Sequence, residues 1–162
     1  MSLGANQGDA EASLVSALRR LRRLLGPLEV ASLYRTAPVG AVPQPDFLNT
    51  AVTGTTDLPP ERLLAAAKAF ERAAGRRAGP RHGPRPLDID LLLYGDLTSD
   101  DPGLTLPHPG LPHRRFVLVP LAEIAPGWRV PPGGETVAGL LAATGDRSRV
   151  ERVGWSQRSS TS

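Results

Sequence analysis

The chain has 162 residues, 40% of them hydrophobic, and a formal net charge of +3 from 19 basic and 16 acidic side chains. That length suits one compact domain with its own core, and the lack of cysteine excludes disulfide frameworks and thiolate metal sites, which fits a cytoplasmic setting. No secretory signal opens the sequence and no run of apolar residues could cross a bilayer, so no membrane partner is expected.

A pI near 10.1 invites a nucleic-acid reading, but the basic excess is small. Lys68 is the sole lysine, and the heavy use of Arg, Ala, Gly and Pro reads as base composition. No nucleic-acid partner is expected.

In chain order, Met1–Gly4 offers only the end of an opening strand, read either as a misassigned start or as an unusually short strand. Leu14, Leu18, Leu21 and Leu25 recur at helical spacing until Gly26 and Pro27 stop them. Residues 28–35 alternate as a strand, 37–45 form a Pro/Gly loop, and a second strand covers 46–56. A helix over 60–74 aligns Leu63, Leu64, Ala67 and Phe70. An Arg/Gly/Pro loop follows over 76–86, then an apolar strand over 87–94. A short strand at 104–106 enters a Pro-His-Pro turn. Residues 115–125 form a helix that contains Pro120, and 136–143 a last short helix. The domain is expected over 1–153, with 154–162 a disordered polar tail. Connections between neighbouring strands are too short for a parallel sheet, so an α+β fold with a largely antiparallel sheet is predicted.

The sharpest chemical signal is Leu87-Asp-Ile-Asp-Leu-Leu-Leu-Tyr94. On a strand Asp88 and Asp90 face one way, and Leu87, Ile89, Leu91 and Leu93 the other. Two carboxylates on one face repel each other and lose hydration, and a hard dication relieves both; magnesium commonly takes one or two carboxylates plus waters and phosphates. Pairing with arginines is the blander alternative. Arg76, Arg77, Arg81, His82 and Arg85 crowd the loop just upstream, broken by glycines and prolines, so they can fold over a polyphosphate. Cations beside a carboxylate pair suit metal-assisted phosphoryl transfer.

Phe47 and Asn49 share a strand face, a ring and an amide fitted to a flat, hydrogen-bonding ligand, although core packing and turn capping would also explain them. His108 sits in a rigid turn, with Arg114 and Phe116 close behind. Asn6 and Asp9 read as builders of the first turn and cap of the first helix; the Gly-containing start matches neither nucleotide-binding glycine signature.

Together these blocks resemble the 6-hydroxymethyl-7,8-dihydropterin pyrophosphokinase family. The resemblance runs from Ser2-Leu-Gly-Ala-Asn6 through Tyr34-Arg-Thr36, Gln44-Pro-Asp-Phe-Leu-Asn49 and Gly83-Pro-Arg-Pro-Leu-Asp-Ile-Asp90. It continues through Leu106-Pro-His-Pro109 to Phe116-Val-Leu-Val-Pro-Leu-Ala-Glu-Ile-Ala-Pro126. It implies a ferredoxin-like α/β/α sandwich and, in tetrahydrofolate biosynthesis, transfer of a diphosphate from ATP to the pterin alcohol with release of AMP.

By the same resemblance, Asp88 and Asp90 hold two Mg2+ ions and join Arg76 and Arg85 as catalytic residues. Thr36, Pro38, Val39 and Asn49 read the pterin edge, while Phe47 and Phe116 sandwich its ring. Glu71, Arg76, Arg85, His108 and Arg114 serve ATP, and loops 38–46 and 76–86 act as lids. His82 stands where the family usually has tryptophan, and either Arg76 or Arg77 fills the first lid-arginine role. A monomer is expected, with small-molecule partners only.

Two rivals share some of these features. Another magnesium-dependent phosphotransferase or nucleotide hydrolase would use the aspartates and arginines but leave Phe47, Asn49 and Phe116 without a task. A basic RNA-binding module would find two carboxylates on its phosphate face repulsive.

Overall fold

The computed structural model describes residues 1–156. Its centre is a six-stranded sheet. Strand β1 (Ser2–Ala5) lies buried in the middle, between β4 (Phe47–Thr53) and β5 (Asp88–Asp90). Beyond β4 come β3 (Tyr34–Thr36) and the edge strand β10 (Val150–Arg152), while β2 (Glu29–Val30) pairs with the far end of β4. Every pairing in this sheet is antiparallel, as the short connections predicted.

Helices cover both faces. α1 (Ala10–Leu25) and α2 (Pro60–Ala73) press Leu14, Leu18, Leu21, Leu63 and Ala67 onto Leu3, Val52 and Ile89. Asp9 caps α1 as expected, its carboxylate accepting from the Ala12 amide at 3.0 Å. On the opposite face α3 (Arg115–Ile124) and α4 (Val137–Ala143) bury Val117, Leu118, Leu121 and Val137 against Ala51 and Leu92. α3 runs through Pro120, whose ring nitrogen leaves the Phe116 carbonyl without its usual helical donor. Two small hairpins lie outside the main sheet: β6 (Ser99–Asp101) with β7 (Leu104–Leu106), and β8 (Arg129–Val130) with β9 (Glu135–Thr136).

Several sequence expectations are corrected. The strand over 28–35 is two strands. From the pair Val30–Val52 to the pair Tyr34–Asn49, the outer chain uses one residue more than β4, which is a bulge. The Thr50 hydroxyl and the Trp155 indole nitrogen both donate to the Ala31 carbonyl at this bulge, at 3.1 and 3.0 Å. The strand over 87–94 ends at Asp90, where its ladder with β1 ends in the pair Ser2–Asp90. Alternation nevertheless persists to Leu92, which lies under α3 on the aspartates' side of the sheet.

The tail expected from Gly154 begins with three placed residues. The Gly154 amide donates to Leu33, Trp155 packs on the core, and the Ser156 amide donates to Glu11. Residues 157–162 of that expected tail lie outside the described residues.

α3 is tied to the sheet edge by Glu123. Its carboxylate accepts from the Tyr34 hydroxyl at 2.6 Å and from the Ser32 hydroxyl and amide at 2.6 and 3.0 Å. Burial pushes the Glu123 carboxyl up, but these hydrogen bonds win and hold it below its ordinary value. Burial and the bond to Glu123 push the Tyr34 phenol up to about 12. Tyr34→Phe is expected to cost about 1 kcal/mol in denaturant unfolding. Because the Glu123 carboxyl is depressed in the fold, its contribution is present above the ordinary carboxylate pKa and fades as pH falls through the lower folded value. The wild-type advantage over Tyr34→Phe should therefore shrink in acid, and a constant difference between pH 7 and pH 3 would contradict this account.

Candidate active site

Where α3 stops covering the sheet, a cleft of about 800 Å³ opens over the ends of β1, β4 and β5. Its floor follows from strand alternation: Phe47 and Asn49 on β4, Ser2 and Gly4 on β1, and Asp88 and Asp90 on β5 all point into it. Thr36, Pro38 and Val39 line one wall. Phe116 and Arg114 enter from the start of α3, and Arg76 and Arg85 from the 76–86 loop. His108 completes the set.

Of the residues expected at the site, Glu71 alone stands outside the cleft lining. It is 2% exposed, and its carboxylate accepts from the Ile89 amide at 2.8 Å on the outer edge of β5, which makes it a support for the aspartate strand. Arg77 is exposed and does not line the cleft, so Arg76 is the arginine that reaches it.

At one end of the cleft, buried side chains hold each other in place. The Asn49 amide nitrogen donates to the Thr36 hydroxyl at 2.6 Å, and both residues are buried. A methyl group on Gly4 would lie 2.6 Å from the Asn49 amide oxygen, so glycine is what allows the amide to lie flat across β1. Gly4→Ala is expected to displace that amide, weakening binding of a flat heterocyclic ligand by about tenfold and costing about 1 kcal/mol of stability through the strained Asn49–Thr36 bond. Fluorescence titration beside a thermal melt measures both, and unchanged affinity would show that Asn49 does not read the ligand.

At the other end Asp88 and Asp90 stand among cations. Arg76 Nη1 lies 2.6 Å from Asp88 Oδ1 and 2.8 Å from Glu71 Oε2. His108 Nε2 lies 3.8 Å from Asp90 Oδ1. Burial first, and then the charge of Asp88, push the Asp90 carboxyl above its ordinary range, while His108 and Arg114 pull it back. Burial lowers His108, opposed by Asp90. The His108 Nδ1 accepts from the Gly110 amide at 3.0 Å, so in the neutral ring the proton sits on Nε2, toward Asp90. Burial raises the Glu71 carboxyl, while the bond from Ile89 and the charge of Arg76 hold it down.

Sequence reasoning missed several participants. Asn6, read as a turn builder, ties the two loops to the sheet. Its amide nitrogen donates to Gln44 Oε1 and to the Pro45 carbonyl, both at 2.9 Å, and its oxygen accepts from the Arg85 amide at 2.8 Å. Gln44 in turn donates to the His82 carbonyl at 2.6 Å. His82 and Arg81, already noted in the sequence among the loop cations, line the cleft, His82 with a left-handed backbone (φ 57°). Asp146 accepts from the Arg115 amide at 2.8 Å, capping α3 just ahead of Phe116, and it lines the cleft with Ser148 and His113. A second recess of about 320 Å³, lined by Leu25, Leu63, Tyr94 and Trp128 among others, brings no carboxylate or guanidinium together.

The donor set suits a hard dication. Two carboxylates offer oxygen ligands on one wall, and among the described residues no group of three or more His, Cys, Asp or Glu side chains is placed to hold an ion by itself. A carboxylate pair facing arginines, beside two aromatic rings and a buried amide, is the layout of an enzyme that transfers phosphoryl groups to a flat substrate. The chain belongs to the 7,8-dihydro-6-hydroxymethylpterin-pyrophosphokinase family, whose model matches residues 1–126.

Relatives agree. The chain is 45% identical over 155 residues to the 2-amino-4-hydroxy-6-hydroxymethyldihydropteridine pyrophosphokinase of Methylorubrum extorquens, covering 94% of this chain and 96% of that one. It is 42% identical over 144 residues to the protein of that name in Synechocystis sp., covering 87% and 73% respectively. It is also 44% identical over 127 residues to the mitochondrial folate synthesis bifunctional protein of Arabidopsis thaliana, covering 76% of this chain and 23% of that larger protein.

Proposed function

We propose that the chain transfers diphosphate from ATP to 6-hydroxymethyl-7,8-dihydropterin, yielding AMP and the pterin diphosphate for folate synthesis. The observation that carries this reading is a single cleft with two unlike ends, a ring-and-amide floor beside an acid-and-arginine wall. Phe47 and Phe116 bracket the pterin ring, and Asn49, Thr36 and the backbone from Pro38 to Val39 meet its hydrogen-bonding edge. His108, Arg76, Arg85 and Arg114 bind the triphosphate, and Asp88 and Asp90 hold two Mg2+ ions. When bound, those ions would supply the positive charge that offsets the charge of the phosphates.

The pterin hydroxymethyl oxygen forms a bond to the β-phosphorus. The bond from that phosphorus to the α–β bridging oxygen breaks, AMP leaves with that oxygen, and the hydroxyl proton passes to water. The residues' share is positioning and charge stabilisation, with Arg76 and Arg85 neutralising the oxygens that gain charge. Loops 38–46 and 76–86 close over the reactants and exclude water.

The element order β1-α1-β2/β3-β4-α2-β5 with sheet order β3-β4-β1-β5 supports a ferredoxin-like sandwich over residues 1–153. The protein acts as a monomer in this reading, and the absence of cysteine fits a reducing cytoplasm. No helix among the described residues is long and apolar enough to cross a membrane.

The test is AMP production with Mg2+, ATP and the pterin alcohol. AMP should appear mole for mole with pterin diphosphate and only when all three are present. ADP formation, or ATP cleavage indifferent to the pterin, would overturn the reading.

A further inference from the structure

We propose that Arg76 is the resident counter-ion of Asp88, displaced from that carboxylate when a divalent cation binds the aspartate pair and kept close by Glu71. The inference rests on the metal-dependent reading above and adds an order of events to it.

One nitrogen, Arg76 Nη1, touches two acids of unlike character. The Glu71 side chain is 3% exposed and also holds the Ile89 amide, so it is a fixed anchor. The Asp88 side chain is 39% exposed and faces the cleft, where a hydrated cation can reach it. Magnesium and manganese keep part of their water shell, so they favour the wetter carboxylate. A dication on Asp88 and a guanidinium 2.6 Å from the same oxygen put like charges across one atom, and the weaker partner yields. The guanidinium then loses one acceptor but retains Glu71. Arg76 lines the cleft, so its freed N–H can make a charge-assisted bond to an arriving phosphate oxygen that replaces the lost one.

Metal loading and arginine delivery thus become a single exchange. Linkage makes it reciprocal, so whatever holds Arg76 on Asp88 weakens cation binding by the same factor.

The test uses Mn2+ alone, without nucleotide, titrated by calorimetry or paramagnetic resonance into the full chain. Arg76→Ala should bind Mn2+ roughly fivefold more tightly than wild type, the scale of one part-exposed ion pair. Arg77→Ala removes the same unit charge from the same loop at an exposed position. It should stay within about twofold of wild type, since its charge is screened by solvent. Far-ultraviolet circular dichroism checks that both variants are folded. Equal affinities for Arg76→Ala and wild type, or equal shifts in the two variants, would overturn the exchange while leaving the catalytic reading intact. If neither wild type nor Arg76→Ala takes up Mn2+, the aspartates are not metal ligands, and both readings fall together.

Discussion

Asp90→Ala should reduce AMP formation by roughly a thousandfold or more while leaving the melting temperature unchanged or slightly higher. The two halves of this expectation share one cause. Asp90 is partly buried beside Asp88, and its charged form is disfavoured by burial and by that neighbour. Such a group costs the fold something, so removing it relieves repulsion. The same strained charge is what a dication would neutralise. Asp90→Asn keeps the size and polarity of the side chain and should be nearly as inactive, which separates charge from packing. The readouts are AMP by chromatography and a thermal melt on the same preparation. Turnover within tenfold of wild type in either variant would falsify the metal role.

Arg85→Ala should lower kcat by about a hundredfold and change the pterin dissociation constant by less than about threefold. The backbone of Arg85 is fixed, since its amide donates to Asn6 Oδ1 at 2.8 Å and its carbonyl accepts from the Asn6 amide at 3.0 Å. Among the described residues the guanidinium is held by long contacts alone, 3.4 Å to each of the Pro80 and Pro84 carbonyls. A firmly placed backbone with a loosely held head suits a side chain that finds its partner late in the reaction. Pterin binding by fluorescence and turnover by AMP release separate the two effects. A variant whose loss lies wholly in pterin affinity would place Arg85 on the ring instead of the phosphates.

Much of the chemistry was legible because strand alternation converts spacing into direction. Asp88 with Asp90, and Phe47 with Asn49, are each two residues apart, and both pairs reach the cleft from β5 and β4. What could not be read depended on distant partners. Glu71 sits on a helix whose apolar stripe is clear, but nothing in its surroundings tells that it takes the Ile89 amide. Asn6 and Gln44 are 38 residues apart, and no periodicity links them. The edge strand β10 is a short, charged Val-Glu-Arg, whose sequence lacks the alternation of a half-buried strand. The break between β2 and β3 is a bulge, set by pairing with β4 and invisible in the outer strand alone.

The clasp between Glu123 and Tyr34 fastens the helix that bears Phe116 to the strand that ends at Thr36. Phe116 and the strand beside Phe47 are thereby joined, whereas the Arg76 and Arg85 guanidinium groups come from the separate 76–86 loop. Chemical variants of the acceptor that thicken or pucker its heterocycle should be turned away sharply. Donor analogues with altered bridging atoms should be better tolerated, because the Arg85 guanidinium is held by 3.4 Å contacts to the Pro80 and Pro84 carbonyls. Inhibitors built outward from the bicyclic end would accordingly gain selectivity from shape, and those built from the nucleotide end would gain it mainly from charge.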